Sequence, residues 1–272
     1  MSICVSVRVA EGLVLAADSA NVLLGLLSPQ QKEPSIIQTF EYANKVCQIG
    51  NLPIGVMTWG NAAIKDRTIQ SLIMELEYEY ADMLRERDYS VKTITQTLLE
   101  FTRERYDKAY PERPGQEQRP TIGVLVGGYS YRQFYSELYT FTLPNGEELD
   151  VVRPDKPDGT PSFGVNWFGS GEALTRLIKG FDPKVLDDLV QRGIDRDAIE
   201  RWAKEAVGEL PLIFDGMPLQ DAIDFANFAV QLTIGVCRFR AGPAVCGGQV
   251  DIAVITPDNL HWAQRKQWAI KE

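Results

Sequence analysis

The sequence predicts an α+β fold: a four-layer helix–sheet–sheet–helix sandwich whose two sheets are antiparallel. Three observations carry this reading. Strand-like runs open the chain as hairpins, at residues 2–9 with 13–17 and at 45–49 with 53–58. A pair of helical patterns follows, where a parallel βαβ unit would place a single crossover helix. Further strands, helices and closing strands then complete the chain. Hairpins followed by helix pairs suit antiparallel sheets covered by helices.

The first hairpin, Ser2-Ile-Cys-Val-Ser-Val-Arg-Val and Leu13-Val-Leu-Ala-Ala, turns at Glu11-Gly12 and ends at Asp18-Ser19. Residues 21–42 read as a long connector with Leu23, Leu24, Leu26 and Leu27 and two prolines. Connectors of this length are usually functional or disordered, and its leucines predict that it packs on something. The second hairpin turns at Gly50-Asn51 and stops at Trp59-Gly60-Asn61. Ile69, Leu72, Ile73, Leu76, Tyr80, Met83 and Leu84 then recur at helical spacing on one face. Ser90 caps a second helix carrying Val91, Ile94, Leu98, Phe101 and Tyr106.

After a charged break at 111–120, residues 121–128 and 134–142 read as paired strands, with a turn at Pro144-Asn-Gly. Residues 163–168 form another strand, which ends at Gly169-Ser170-Gly171 where a helix begins and runs to Gly180. A helical insertion is expected over 182–215. Asp182-Pro183 starts its first helix and Gly193 closes it. Asp195 caps its second, with Ile199, Trp202, Ala206 and Val207. A longer helix covers 219–237, and strands at 250–255 and near Leu260 close the chain. No repeat or linker interrupts residues 1–272, which are expected to form one domain.

Composition narrows the function. A 44% hydrophobic, 24% charged chain is ordinary for a globular protein. Its net charge of −9 argues against nucleic acid or an acidic membrane as partner, since both are polyanions. No apolar stretch approaches a membrane span, and no signal-peptide pattern opens the chain, so a cytoplasmic location is expected. Cys4, Cys47, Cys237 and Cys246 form no Cys-x-x-Cys pair and read as free thiols. With a single histidine, His261, no zinc pattern exists, and neither metal nor cofactor is expected. A Ser-His-Asp triad would require His261 itself, which lies in a strand-like tail.

One residue offers a different design. If Met1 is removed, Ser2 carries both a hydroxyl and a free α-amino group, a nucleophile with its own base. An α-amino group titrates at roughly 7.7–8.0, close to working pH.

Several motifs, in order, resemble β-type subunits of the proteasome superfamily, the N-terminal nucleophile (Ntn) hydrolases. Glu11-Gly-Leu-Val-Leu-Ala-Ala-Asp18-Ser19 resembles the family's glycine turn, apolar strand and acidic terminus. The interval from Ser2 to Asp18 equals the family's nucleophile-to-aspartate interval. Lys45-Val-Cys-Gln-Ile, Gly55-Val-Met-Thr-Trp-Gly60, Gly169-Ser170-Gly171 and Cys246-Gly-Gly-Gln-Val-Asp-Ile-Ala-Val-Ile resemble the later blocks. The long connector, the Gly60-Asn61 after Trp59 and the lack of a long propeptide resemble the bacterial proteasome-like proteins, the ancestral β-subunit and proteobacterial homologue groups.

The resemblance implies an Ntn sandwich and peptide-bond hydrolysis. Ser2 would be the nucleophile and its amine the base, acting through a water. Lys45 would keep that amine neutral, Asp18 would hold Lys45, and Ser170 would bond near the amine. Gly60 N–H would serve the oxyanion; a one-residue shift would give Trp59. Met57 would line a specificity pocket. Peptide or unfolded-protein substrates and a homo-oligomeric ring or stacked rings are implied, with the connector leucines at ring contacts.

Two departures stand out. Serine replaces the usual threonine, losing the methyl that limits its rotamers. Pro243 and Cys246 stand where the family has a supporting aspartate and serine, and Asp251 lies too far along the next strand to substitute. Two further functions therefore remain open: a catalytically silent ring-forming scaffold, favoured if Met1 is retained, and an amidase of this fold acting on a small metabolite.

Overall fold

Strands that are apolar on both faces organise the molecule. The computed structural model describes residues 2–25, 35–85, 88–112, 119–202 and 209–267. Strands β1 (Ile3–Val9), β2 (Gly12–Ala17), β9 (Ile122–Gly128) and β13 (Asp251–Ile255) are buried along their whole length. Such strands need cover on both sides, because an antiparallel sheet facing water would alternate apolar and polar.

Two five-stranded antiparallel sheets meet that need. The first has the order β12–β1–β2–β13–β14, adding β12 (Gly164–Gly169) and β14 (Leu260–Gln264). The second has the order β11–β10–β9–β6–β5, with β5 (Val46–Gln48), β6 (Ile54–Gly60), β10 (Glu137–Leu143) and β11 (Asp150–Val151). Between the sheets lie Cys4, Leu13, Leu15, Ala17 and Ala253 from one side and Val46, Met57, Leu125 and Leu138 from the other.

The period of two along each strand sends the alternate residues outward. Ile3, Val5, Val7, Val14 and Ala16 meet α4 (Glu172–Lys179) and α7 (Leu219–Phe239). The small residues Ala222, Ala226 and Ala229 on α7 are fully buried against this face. Glu11 Oε2 accepts from the Leu219 N–H, so the β1–β2 turn also caps α7. Ile54, Val56, Ile122, Val124 and Phe141 meet α1 (Ile69–Glu79) and α3 (Val91–Ala109) on the outer face of the second sheet.

Three expectations change. The helix expected through Leu84 breaks at Tyr80, and α2 (Ala81–Arg85) is separate. The connector at 21–42 is not an irregular loop. It contains a two-stranded hairpin, β3 (Asn21–Gly25) with β4 (Ser35–Phe40), and residues 26–34, including Leu26 and Leu27, lie outside the described residues. The β-branched Ile36, Ile37 and Thr39 carry that strand, a signal outweighed in the sequence by the prolines. Short strands β7 (Ala63–Ile64) and β8 (Arg67–Thr68) were also not expected. Helices α5 (Pro183–Gln191) and α6 (Arg196–Trp202) occupy the insertion, with Asp182 and Asp195 accepting from the Lys184 and Ala198 N–H groups. Ala206 and Val207 lie outside the described residues.

Ser90 takes the predicted cap position, its Oγ accepting from the Thr93 N–H at 3.0 Å. Ser90→Ala is expected to cost about 1 kcal/mol, the usual loss for an N-cap. A fall in the urea midpoint at unchanged slope would report it.

Candidate active site

Strand ends place the candidate residues. Ile3 pairs with Gly169 and Cys4 with Ala17, so Ser2 and Asp18 step off β1 and β2 at the same rim as Ser170 off β12. In the second sheet Val46 pairs with Met57, and the Thr58 N–H donates to Lys45 O at 2.9 Å. Lys45 thus enters β5 beside the last residues of β6, which ends at Gly60. Five residues from five strand ends converge where the two sheets meet.

Asp18 is the hub. Its side chain is fully buried, and its Oδ1 accepts from Lys45 Nζ at 2.6 Å and from the Ile3 N–H at 3.0 Å. Its Oδ2 accepts from the Gly247 N–H at 3.0 Å. Lys45 is 3% exposed, so the pair is taken out of water from both sides. The carboxylate orients the ammonium and also ties the start of β1 to the glycine pair after Cys246. Gly247 is a partner the sequence reasoning missed; the Cys246-Gly-Gly motif marked the place without showing that an N–H serves Asp18.

Ser2 is 4% exposed, and its carbonyl accepts from the Ser170 N–H at 2.7 Å. Gly169 makes this approach possible. Its φ is +80°, and a Cβ there would stand 2.0 Å from Ser2 O. Gly60 has φ +85°, and a Cβ there would stand 2.4 Å from Thr121 O. Both glycines of the strand-end motifs are therefore demanded by backbone geometry.

Ser2, Lys45 and Gly60 line one cavity of about 150 Å³, together with Asn21, Asn44, Thr58, Trp59, Asn61, Thr68 and Gln70. Asn44 Nδ2 donates to Gln70 Oε1. The amide and hydroxyl lining of this cavity comes from β3, the entry to β5, the end of β6, β8 and the first turn of α1. Met57 does not reach it. Met57 is fully buried between the sheets, because its place on β6 points inward opposite Val46.

The altered positions behave differently from one another. Pro243 is exposed. Cys246 is buried beside Asp18: burial first and the Asp18 charge second push its thiol up to about 12, while the Ser170 side chain works the other way. It stays a neutral thiol, a weak hydrogen-bonding group in a supporting position. Burial likewise pushes up the Cys4 thiol, whose Sγ donates to Thr58 O at 3.2 Å. All four cysteines are free. Asp251 pairs with Lys266 and accepts from its N–H at 2.8 Å, so it is committed elsewhere. Met1 lies outside the described residues.

No protein-family model matches the chain, and no curated protein matches it. Solved structures do. Anbu (ancestral beta-subunit) from Yersinia bercovieri superposes with a TM-score of 0.52 at 15% identity, covering 96% of this chain and 86% of that one. The helical assembly of the Anbu complex from Pseudomonas aeruginosa gives 0.54 at 19%, covering 97% and 88%. An Anbu mutant from Hyphomicrobium sp. strain MC1 gives 0.55 at 14%, covering 98% and 86%. The chain shares its fold with Anbu. Anbu proteins are proteasome-like relatives of the Ntn hydrolases. At these identities the likeness is one of fold, and the chemistry has to be argued from the residues of this chain.

Proposed function

We propose that the chain is a proteasome-like Ntn peptidase with Ser2 as nucleophile, built on a single four-layer αββα sandwich. The observation that carries this reading is the buried Lys45–Asp18 pair opening onto the same cavity as Ser2. Burying an ion pair costs several kcal/mol per charge before the partners compensate each other, which is a poor way to stabilise a fold. Beside a free amine it has a use. A fixed ammonium there disfavours protonation of the Ser2 α-amino group and keeps it able to accept the hydroxyl proton. Ser2 Oγ would then attack a peptide carbonyl, with the Gly60 N–H donating to the oxyanion. The proton would pass through the amine to the leaving nitrogen, and water would release the acyl group. Ser170 anchors the Ser2 backbone through its N–H.

The amide-rich cavity suits a polar side chain on the substrate better than a large apolar one. Homo-oligomers, in rings or in a helical assembly such as that of the Pseudomonas aeruginosa Anbu complex, would sequester this site, in the cytoplasm. Exposed Leu23, Ile37 and Phe40 on the β3–β4 hairpin offer one contact surface. A silent scaffold of the same fold is the second reading, favoured by the neutral Cys246 thiol in the supporting position.

Intact mass before and after a peptide epoxyketone decides between them. The reagent consumes both the hydroxyl and the free amine, so the expected result is a chain beginning at Ser2 that gains one adduct, lost in Ser2→Ala. A chain that keeps Met1 and stays unmodified would leave the scaffold.

A further inference from the structure

The far end of β1 carries a second cluster of polar groups, about 20 Å from Ser2 at the usual strand rise. Arg8 is 4% exposed there, and its Nη1 donates to Arg153 O at 3.2 Å and to Asp155 Oδ1 at 3.0 Å. Arg153 is half-buried beside it. Its Nη1 donates to Phe163 O at 3.1 Å, and its Nη2 donates to Val165 O at 2.7 Å and Asn166 Oδ1 at 3.2 Å. Gly164 makes room for this guanidinium, since a Cβ there would stand 2.4 Å from Arg153 Nη1.

The cluster is rich in donors and short of acceptors. Arg8 Nε, Arg153 Nε, Asn166 Nδ2 and Ser6 Oγ are buried without a hydrogen-bond partner among the described residues. Every one of them can donate. Ser6 and Asn166 face each other across the β1–β12 register, so the orphans are neighbours. Arg153 makes no ion pair with a described carboxylate. Asp155, the partner of Arg8, has a half-exposed side chain. Burial first and repulsion from Arg8 second lower the Arg153 pKa, and the charge of Glu209 offsets them only in part.

Arg153 and Asn166 also line a cleft of about 720 Å³ that runs along the outer edge of β12, within the roughly 300–1,000 Å³ of small-molecule sites. Lys179 adds a second cation at its wall. The remaining wall is largely apolar, from Phe163, Leu212 and Phe214. Glu209 stands at the same cleft and would repel a doubly charged phosphate more than a singly charged group.

The geometry points to a binding site for an apolar monocarboxylate, with the carboxylate on Arg153 and Asn166 and its apolar body along β12. One N–H of Arg153 Nη1 is left over from its bond to Phe163 O and can give a carboxylate a charge-assisted hydrogen bond. A free aromatic acid and a peptide C-terminus ending in an apolar residue present the same chemistry. The site does not depend on Ser2 reacting.

N-acetyl-L-phenylalanine titrated into the labelled full-length chain provides the test. The Trp167 indole N–H donates to Thr175 Oγ1 at 3.1 Å, and both residues line the cleft, so that NMR signal reports occupancy. Saturable shifts are expected, with the carboxamide analogue weaker by roughly tenfold, as loss of a charge-assisted pair requires. Arg153→Gln should weaken the acid similarly. Lys179→Gln changes an exposed residue, keeps the fold and should weaken the acid by a few-fold. A peptide with a free C-terminal phenylalanine binding tighter than the capped amino acid identifies the peptide source, and equal binding identifies the free acid. Equal binding of acid and carboxamide, or no saturation up to the solubility limit, overturns the site.

Discussion

Asp18→Ala is expected to destabilise the chain by about 3–5 kcal/mol, the cost of stranding one member of a buried ion pair. Lys45 would remain 3% exposed without its counter-charge, and the Ile3 and Gly247 N–H groups would lose their acceptors. Lys45→Met should cost a similar amount for the opposite reason, leaving the carboxylate unpaired. Against the 5–15 kcal/mol of a typical domain, either loss is large. The double variant Asp18→Asn with Lys45→Met discriminates the cause. It leaves no buried charge, and an asparagine oxygen can still accept one N–H, so it should regain most of what either single change loses. Urea unfolding of the wild type, Asp18→Asn, Lys45→Met and their double variant supplies the cycle. Single losses below about 1 kcal/mol, the value of an exposed pair, would mean that the pair is wet. In epoxyketone labelling, the double variant should fold and yet fail to react, which separates the charge needed for chemistry from the packing needed for stability.

The sequence carried the sheets well because their strands are apolar on both faces. Ile3–Val9, Gly12–Ala17 and Ile122–Gly128 admit few other assignments once their length and flanking turns are counted. It carried the helix starts where a side chain acts locally, at Ser90, Asp182 and Asp195. It failed where the signal was weak or long-range. The β3–β4 hairpin joins half-exposed strands around residues rich in proline and glutamine, so its pattern was read as a loop. The break at Tyr80 follows Leu76 with no glycine or proline to announce it.

The site shows the same division. Ser2 could be named from its place behind Met1, and Asp18 and Lys45 through the resemblance of their short motifs to the Ntn hydrolases, because such motifs are local properties of the chain. The Gly247 N–H on Asp18 and the polar wall from Asn44, Asn61 and Gln70 could not, because pairing and packing between separate segments of the chain bring them there. The orphaned donors near Arg8 were invisible for the same reason: a strand residue of alternating polarity, Ser6 or Arg8, reads as a solvent-facing position until a second sheet covers it.

Gly169→Ala tests how closely the fold and the Ser2 position are tied. Two costs fall on one methyl group. An L-residue at φ +80° carries about 1–2 kcal/mol of left-handed strain. The new Cβ would also stand 2.0 Å from Ser2 O, a contact with backbone that no rotamer change relieves. Overpacking of this kind adds typically about 1–3 kcal/mol. The least costly relaxation moves Ser2 away from β12, which breaks the 2.7 Å bond from the Ser170 N–H and swings the Ser2 hydroxyl and amine off the Lys45 side of the cavity. Gly193→Ala is the matched control. Its φ is +85°, but no atom lies within 4 Å of the added Cβ, so only the left-handed strain should appear. The expected result is a larger fall in urea stability for Gly169→Ala than for Gly193→Ala, with epoxyketone labelling lost in the first and kept in the second. Equal losses in the two variants would show that the rim accommodates the methyl group, and that Ser2 is held by something other than its fit against Gly169.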